Sequence, residues 1–593
     1  MKVSDYIVKY LRSQGVEHGF FLNGGMITPI ADSCQRLGLK LYTVHHEQAA
    51  SFAAEAQAAV TKNIGFAMGT SGPGATNMIT GIASAFFASY PVLFITGQVN
   101  TGEANTNKKR RQAGFQELDI VTLISSITKY ARLVNKSEDI PFELEKSVFY
   151  AKQGRMGPVL LDIPIDVQQN EISEDKIHHF IGSAEHVNLT KKSEIDNSVL
   201  TAIARELKES KRPVILLGHG VKLSGAEVEV RKVIEITGIP FVTSLLGTDI
   251  VPNSHTRCFD FIGTYGRRYS NFALANADLI LVLGARLDTR QIGVQSKGFA
   301  PLAKIIHIDI DEAELGASKK EYISVKDDIR EFLIALLPHL DYNTQLKEWI
   351  NFLEGLKNKY QKREQMVSSD EIDPINAVEL ISQQYKQGGI ITVDVGANQM
   401  WFANGWKVKN DQIILTNGGM APMGYSLPAA IGASLSLQKC EVLVVTGDGG
   451  LQINIQEFQT VVRNRLPIKI VVLNNNTLGM ITQFQTENFE SRFAGTTPDG
   501  GYDAPDFAKV AEAYGIHART VKGSSELVNG INWLLNEKGA CLLDIKVPPG
   551  YFTLPKSRFI RPVHDMFPLI DRDEFNLATK YANLKKDYMQ TVG

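Results

Sequence analysis

Two polar groups stand where buried strands end. The apolar run EVLVVTG leads into Asp448, followed by Gly449 and Gly450, and the run IKIVVLN leads into Asn475 and Asn476. Asp-Gly alone suits a turn, because glycine accepts positive φ. Glycines also let a ligand approach the backbone, and a helix N-terminus offers free N–H groups to an anion. Asp448 would repel that anion unless a cation lay between them. A carboxylate and an amide oxygen form a partial shell for Mg2+, which completes its octahedron with phosphate oxygens and water. Asp448 and Asn475 are therefore candidate ligands of a metal-bridged diphosphate.

For the two to meet, their strands must be parallel neighbours joined by a helix, with ligands at the C-terminal ends. A helix-like pattern does follow the glycines, through Ile455, Phe458, Val461 and Val462. Similar apolar runs recur along the chain: IGFAMG, PVLFITG, PVLLDIP, PVILLG, LILVLG, KIIHIDI and GIITVDV. Alternating with helical patterns, they read as buried parallel strands. Polar stretches around 168–186 and 347–373, the second helical and linking, separate three blocks. The first block ends in GPVLLDIPI and the third in GACLLDIKV, a faint repeat that suggests two related domains around a different middle one. The expected fold class is α/β, with three doubly wound parallel-sheet domains at 1–170, 190–340 and 373–548 and a C-terminal tail at 549–593.

At 593 residues the chain has room for about three or four domains. Apolar residues make up 44% and charged residues 21%, an ordinary globular composition with ample core. A net charge of −2 provides no global field for nucleic acid. The N-terminal MKVSDYIVKYLRSQGV carries charges through an amphipathic pattern and is not a signal peptide. The most apolar run, GIASAFFASYPVLFITG, is broken by Pro91, so no membrane span is expected. Cys34, Cys258, Cys440 and Cys541 have no metal spacing and fit a reducing, cytoplasmic setting.

With HHEQAASFAAEA (45–56), TSGPGATN (70–77), TGQV (96–99), GFQE (114–117), ITKY (127–130), GARLDTR (284–290), GGMAPMGYSLPAAIGA (418–433) and LNNNTLGMITQFQ (473–485) in order, nearly the whole chain resembles the thiamine diphosphate enzymes, and among them the acetolactate synthase family. The resemblance implies a pyrimidine-binding domain, a middle flavin-type domain and a diphosphate-binding domain. It implies that Glu47 hydrogen-bonds the aminopyrimidine and promotes its imino tautomer, with a first-turn acid favoured by the helix dipole as the plainer reading. Met423 would wedge under the cofactor, a role its adaptable side chain suits. The Thr477 carbonyl would be a third Mg2+ ligand. Gly25, Asn398, Gly449, Gly450, Gly479 and Met480 would also touch thiamine diphosphate. Gln98, Phe115, Gln116 and Lys129 would line the reaction pocket, where amides and a lysine bind oxyanions. In the middle block Gly284, Ala285, Arg286, Asp288, Arg290, Asp309 and Asp327 would hold a structural FAD. Taken singly, most of these residues also suit core, cap or surface roles.

The implied reaction is a carboligation in which pyruvate loses CO2 and its two-carbon unit passes to a second carbonyl, giving 2-acetolactate when that is pyruvate. The implied assembly is a homodimer or homotetramer, with Glu47 facing the diphosphate domain of another subunit; no regulatory subunit is identified. Several positions depart from the family pattern. Ala397-Asn398 stands for Gln-His, Asn23 for proline and Phe484 for tryptophan. An enlarged segment carries Lys108, Lys109, Arg110 and Arg111, either a solvated loop or an anchor for a large anionic acceptor. These departures keep open a nucleotide-linked keto-sugar acceptor, as in the yersiniose-type branch. A pyruvate oxidase and an inactive cofactor-binding scaffold are further alternatives, the last opposed by retention of Glu47, Asp448 and Asn475.

Overall fold

A computed structural model describes residues 1–105, 110–173, 177–191, 195–295, 298–316 and 321–582. It contains three six-stranded sheets, each built of parallel pairs. The first holds β1 (His18–Phe21), β2 (Lys40–Thr43), β3 (Gly65–Gly69), β4 (Val92–Gln98), β5 (Tyr130–Leu133) and β6 (Val159–Pro164), in the order β2-β1-β3-β4-β6-β5. The second holds β7 (Pro213–Leu217), β8 (Phe241–Thr243), β9 (Cys258–Phe261), β10 (Leu279–Leu283), β11 (Lys304–Asp309) and β12 (Glu321–Lys326), in the order β12-β11-β10-β7-β8-β9. The third holds β13 (Ile390–Val393), β14 (Ile413–Thr416), β15 (Val442–Gly447), β16 (Ile468–Asn474), β17 (His517–Val521) and β18 (Cys541–Lys546), in the order β14-β13-β15-β16-β18-β17. Each apolar run read as a buried parallel strand forms a strand of one of these sheets.

The outer sheets share one strand order, position for position. The Leu-Leu-Asp-Ile repeat occupies β6 and β18, which hold equivalent places, so it reflects a shared fold. The middle sheet, read from β9, has the doubly wound dinucleotide-fold order. Strand direction of travel reverses between β1 and β3, between β7 and β10, and between β13 and β15. Ligands bind α/β sheets in the crevice at such a reversal, beyond the C-terminal strand ends.

Two helices join the outer domains. Glu47–Thr61 starts at an N-cap where the His46 side chain accepts from the Gln48 N–H, and ends at Lys62 with φ 53°. It packs along Ser426–Ser436, and Ala49, Ala53, Ala56, Ala429, Ala430 and Ala433 belong to one core shared by both domains. The approach is so close that a Cβ on Gly432 would stand 2.2 Å from the Ala53 carbonyl oxygen. Small residues are required there because the two main chains touch.

The linking stretch forms the helix Lys347–Tyr360. The tail does not trail away. Lys556–Ser557 pairs antiparallel with Met566–Phe567, and the helix Arg572–Ala578 follows. Val563, Phe575 and Ala578 enter the middle-domain core. The helical pattern from Ile455 to Val462 forms a 3-10 turn, Ile455–Glu457, and the helix after it, set apart from the short helix that begins at Asp448. Asp448–Ile453 ends at Asn454, and Phe458–Asn464 starts a separate helix. Asn454 breaks the run because its amide donates to the Gly424 carbonyl at 2.8 Å and to the Gln48 side chain at 3.1 Å.

Candidate active site

A cavity of about 510 Å3 opens at the reversal between β13 and β15. Pairing of Gly447 with Leu473 on adjacent β15 and β16 brings their C-terminal ends together, which puts Asp448 and Asn475 on one wall. Asp448 is 3% exposed. One of its oxygens accepts the Gly449 N–H at 2.9 Å; the other is buried without a hydrogen-bond partner. Burial pushes the carboxyl up to about 7, and Asp544 nearby adds to the effect. An orphaned carboxylate oxygen is costly unless a partner completes it, and a divalent cation is such a partner. Asn475 donates its amide to the Thr477 hydroxyl at 2.8 Å, and Thr477 also lines the cavity. Among the described residues no cluster of three or more His, Cys, Asp or Glu could hold a metal. Mg2+ here would therefore rest on Asp448, Asn475, a backbone carbonyl and phosphate oxygens, as its preference for mixed oxygen shells allows.

The glycines are needed for room. A Cβ on Gly449 would come within 2.7 Å of Leu478 and 3.0 Å of the Met423 methyl, and one on Gly450 within 2.6 Å of an Asp394 oxygen. Met423 thus lies over the glycine turn. Asp394 is fully buried and accepts from Gly424, Ser426 and Val395, which ties the Met423 loop to the end of β13. Gly479, Met480 and Phe484 line the same cavity from the helix Gly479–Asn488. Asn398 lines it too, but one of its amide hydrogens goes to the Asp394 carbonyl at 2.8 Å and its oxygen stands against Gly396 and Gly447. It braces the turn as well as facing the cavity.

The first-domain candidates do not join this cavity within one chain. Glu47 is 5% exposed, at the C-terminal end of β2. Asn77 donates to one of its oxygens at 2.9 Å, and the other lies against Gly74, so the TSGPGATN segment cradles it. Gly25 follows β1 and Gln98 ends β4, on the same rim of that sheet. Gln98 is committed internally: its amide donates to Asp162 at 2.9 Å and to the Leu118 carbonyl at 2.7 Å, and its oxygen accepts the Val99 N–H. Gln116 packs against Gly72, and Phe115 is 76% exposed beside it. Lys129 is the exception. It precedes β5 and bonds the Pro158 carbonyl, at the opposite edge of the sheet from Gln98. Its amine donates to the Gln153 carbonyl, and burial lowers it to about 8. One chain does not bring it to the others. Arg110 and Arg111 are exposed, while Lys108 and Lys109 lie outside the described residues.

A second cavity lies where the middle sheet reverses. Gly284, Ala285, Arg286, Asp288, Arg290 and Asp309 all line it. Gly218, Gly220 and Gly284 bring the ends of β7 and β10 into main-chain contact: a Cβ on Gly218 would stand 2.0 Å from the Gly284 oxygen. That glycine cradle at a doubly wound reversal fits a dinucleotide. Asp288 caps the short helix Thr289–Ile292 through the Arg290 and Gln291 N–H groups, and pairs with Arg286 at 3.4 Å. Asp327 does not line either cavity; its neighbour Asp328 lines a pocket adjoining this one. Arg290 lines both main cavities.

Sequence reasoning missed several wall residues. Arg155 reaches the middle cavity from the first domain, held by Asp311 at 2.9 Å and Glu314 at 2.7 Å. His219 lies there too, its ring nitrogens buried. Lys556 and Arg558 come from the tail to the Asp448 cavity. The available signals were weak: QGRMGPV, GHG after a buried strand, and an LPKSR run with no strand pattern in its sequence.

This architecture has relatives. Residues 1–123 match the thiamine pyrophosphate enzyme N-terminal TPP binding domain, 200–336 the central domain, and 394–545 the C-terminal TPP binding domain. The chain belongs to the thiamine pyrophosphate enzymes. It is 32% identical to the acetolactate synthase isozyme 2 large subunit of Escherichia coli, over 93% of this chain and 98% of that one. It is 35% identical to acetolactate synthase 2, chloroplastic, of Nicotiana tabacum, over 93% and 83%. It is 34% identical to the acetolactate synthase large subunit of Porphyra purpurea, over 92% and 90%. Within the thiamine enzymes it therefore belongs to the acetolactate synthase family. These relatives do not favour the keto-sugar or pyruvate oxidase alternatives. Among the described residues no helix is long and apolar enough to cross a membrane.

Proposed function

We propose that this chain couples two pyruvate molecules into 2-acetolactate, releasing one CO2 and taking up one proton. The observation that carries the reading is the orphaned Asp448 oxygen beside Asn475, on a glycine-walled cavity, in a chain of this family. Thiamine diphosphate, when bound, supplies the electron sink that decarboxylation of a 2-keto acid requires. Asp448, the Asn475 side chain and the Thr477 carbonyl would hold Mg2+. The Gly449 and Gly450 N–H groups would bind phosphate oxygens, and Met423 would support the cofactor from below.

Glu47 is the proton-exchanging residue in this reading. It is shielded from water and held by Asn77, which suits transfer over a short fixed path. Because it does not line the Asp448 cavity of its own chain, the complete site is assigned to a homodimer or homotetramer in which Glu47 serves another subunit's cavity. Gln98, Phe115 and Gln116 would border it from the same side, whereas Lys129 sits at the opposite end of its sheet from Gln98. FAD is the dinucleotide assigned to the middle cavity, in a structural role. Four free cysteines are consistent with a cytoplasmic enzyme.

The test is incubation with pyruvate, Mg2+ and thiamine diphosphate, with product identification. Formation of 2-acetolactate is expected. Anaerobic bleaching of bound flavin by pyruvate would instead support an oxidase. Glu47→Gln should lose most turnover yet keep Mg2+ and thiamine diphosphate, whereas Asp448→Ala should lose cofactor retention. Mixing the two inactive chains should restore some activity if subunits exchange; a fully active monomer in sedimentation would refute the shared site.

A further inference from the structure

Three cationic side chains stand on the wall of the Asp448 cavity. Arg290, Lys556 and Arg558 line it, and among the described residues Asp448 is the one acidic side chain on its wall. Lys556 is neutralised by Glu487 at 2.7 Å. Among the described residues, Arg290 and Arg558 have no carboxylate within ion-pair distance. Arg290 lies over the Tyr265 ring at 5.6 Å, on the middle-domain side. Arg558 is exposed at the rim, over the Phe567 ring at 4.1 Å.

That ring contact orients Arg558. Phe567 sits on the strand paired with Lys556–Ser557, and the Ser557 N–H donates to the Thr264 carbonyl at 2.8 Å, which ties the ribbon to the middle domain. Lys556 ties it to the helix that carries Phe484. A guanidinium stacked on an aromatic face keeps its N–H edge free for a bidentate oxyanion. Phe559, 67% exposed, adds an apolar surface beside it.

We propose that Arg558 is a specificity-determining residue that binds an oxyanion carried by the acceptor remote from its reacting carbonyl, either a phosphate or a second carboxylate. This rests on the carboligase reading. In the transfer, the bond between the carboxylate and carbonyl carbons of pyruvate breaks and CO2 leaves. That carbonyl carbon bonds to the acceptor's carbonyl carbon, whose oxygen takes a proton. No oxidant is needed.

The holoenzyme is assayed with pyruvate as donor and two matched acceptor pairs: dihydroxyacetone phosphate against dihydroxyacetone, and 2-ketoglutarate against 2-ketobutyrate. At least one charged member should exceed its partner in kcat/KM by about tenfold or more, the size of one charge-assisted hydrogen-bond contact. The pair that shows it identifies phosphate or carboxylate as the group recognised. Arg558→Met should collapse that ratio towards one, Arg558→Lys should keep part of it, and salt should shrink it in the parent enzyme. If Arg558→Met fails to fold, Arg558→Gln and the salt series carry the same comparison. A parent that makes acetolactate but prefers neither charged acceptor, or a ratio that Arg558→Met leaves intact, overturns the subsite alone. A parent that makes no acetolactate from pyruvate overturns the carboligase reading itself.

Discussion

Gly432→Ala puts the junction of the outer domains to a direct test. The added methyl would stand 2.2 Å from the Ala53 carbonyl oxygen and 2.7 Å from its carbonyl carbon and Cα, where ordinary contact begins near 3.4 Å. All three atoms are main chain, so no rotamer change relieves the clash. The helices Glu47–Thr61 and Ser426–Ser436 must part by about 1 Å, which a close-packed interior resists. Overpacking of this kind costs about 1–3 kcal/mol, and the rigid partner argues for the upper part of that range. For a domain of about 150–250 residues each kcal/mol lowers Tm by about 2–4 °C. The displaced ends are those that carry Glu47 and the Met423 loop, so thiamine diphosphate affinity should fall too. Gly355→Ala is the matched control. A Cβ there meets nothing within 4 Å, in the exposed interior of the helix Lys347–Tyr360, and the change should stabilise by up to about 1 kcal/mol. Differential scanning calorimetry of both variants, with cofactor titration, decides it. Equal melting of Gly432→Ala and the parent would refute the contact.

Glu55 predicts a pH effect. It is fully buried, contacts Ser84 at 2.6 Å and Tyr425, and burial raises it from 4.5 to about 8. Asn417, which donates to Ser84, and Tyr90 are the other polar neighbours. The unfolded chain ionises first, so the parent should lose stability as pH rises from about 4.5 to about 8. Glu55→Gln removes that part of the slope and should gain on the parent between pH 5 and pH 8 in urea titrations; an unchanged slope would contradict the assignment. Phe484→Trp should shift acceptor preference towards 2-ketobutyrate, by no more than the roughly 10–200-fold that one methylene contact provides. Competition between the two 2-keto acids measures it, and an unchanged product ratio would remove Phe484 from the acceptor wall.

Much of the architecture was legible because buried parallel strands have a distinctive composition. EVLVVTG and IKIVVLN became β15 and β16, whose pairing brings Asp448 and Asn475 to one wall. The Leu-Leu-Asp-Ile repeat marked equivalent strands because a twice-used sheet reuses its most buried positions. The helical pattern through Ile455, Phe458, Val461 and Val462 was legible as periodicity, but the break before it was not, because it depends on the two hydrogen bonds of Asn454.

Strand identity, the glycine-flanked acid and the asparagine after the next strand were determined by local sequence, since each depends on backbone preference and alternating burial within a few residues. Placement of side chains from distant segments was not. Gln98 is turned inward by Asp162, Lys129 stands at the far edge of its sheet, and Glu47 lies off the Asp448 cavity of its own chain. The tail, which has no sheet pattern, returns Lys556 and Arg558 to that cavity's wall. Only the packed fold decided these, because they depend on which strands become neighbours and on where a long chain comes back, and neither is written in local spacing.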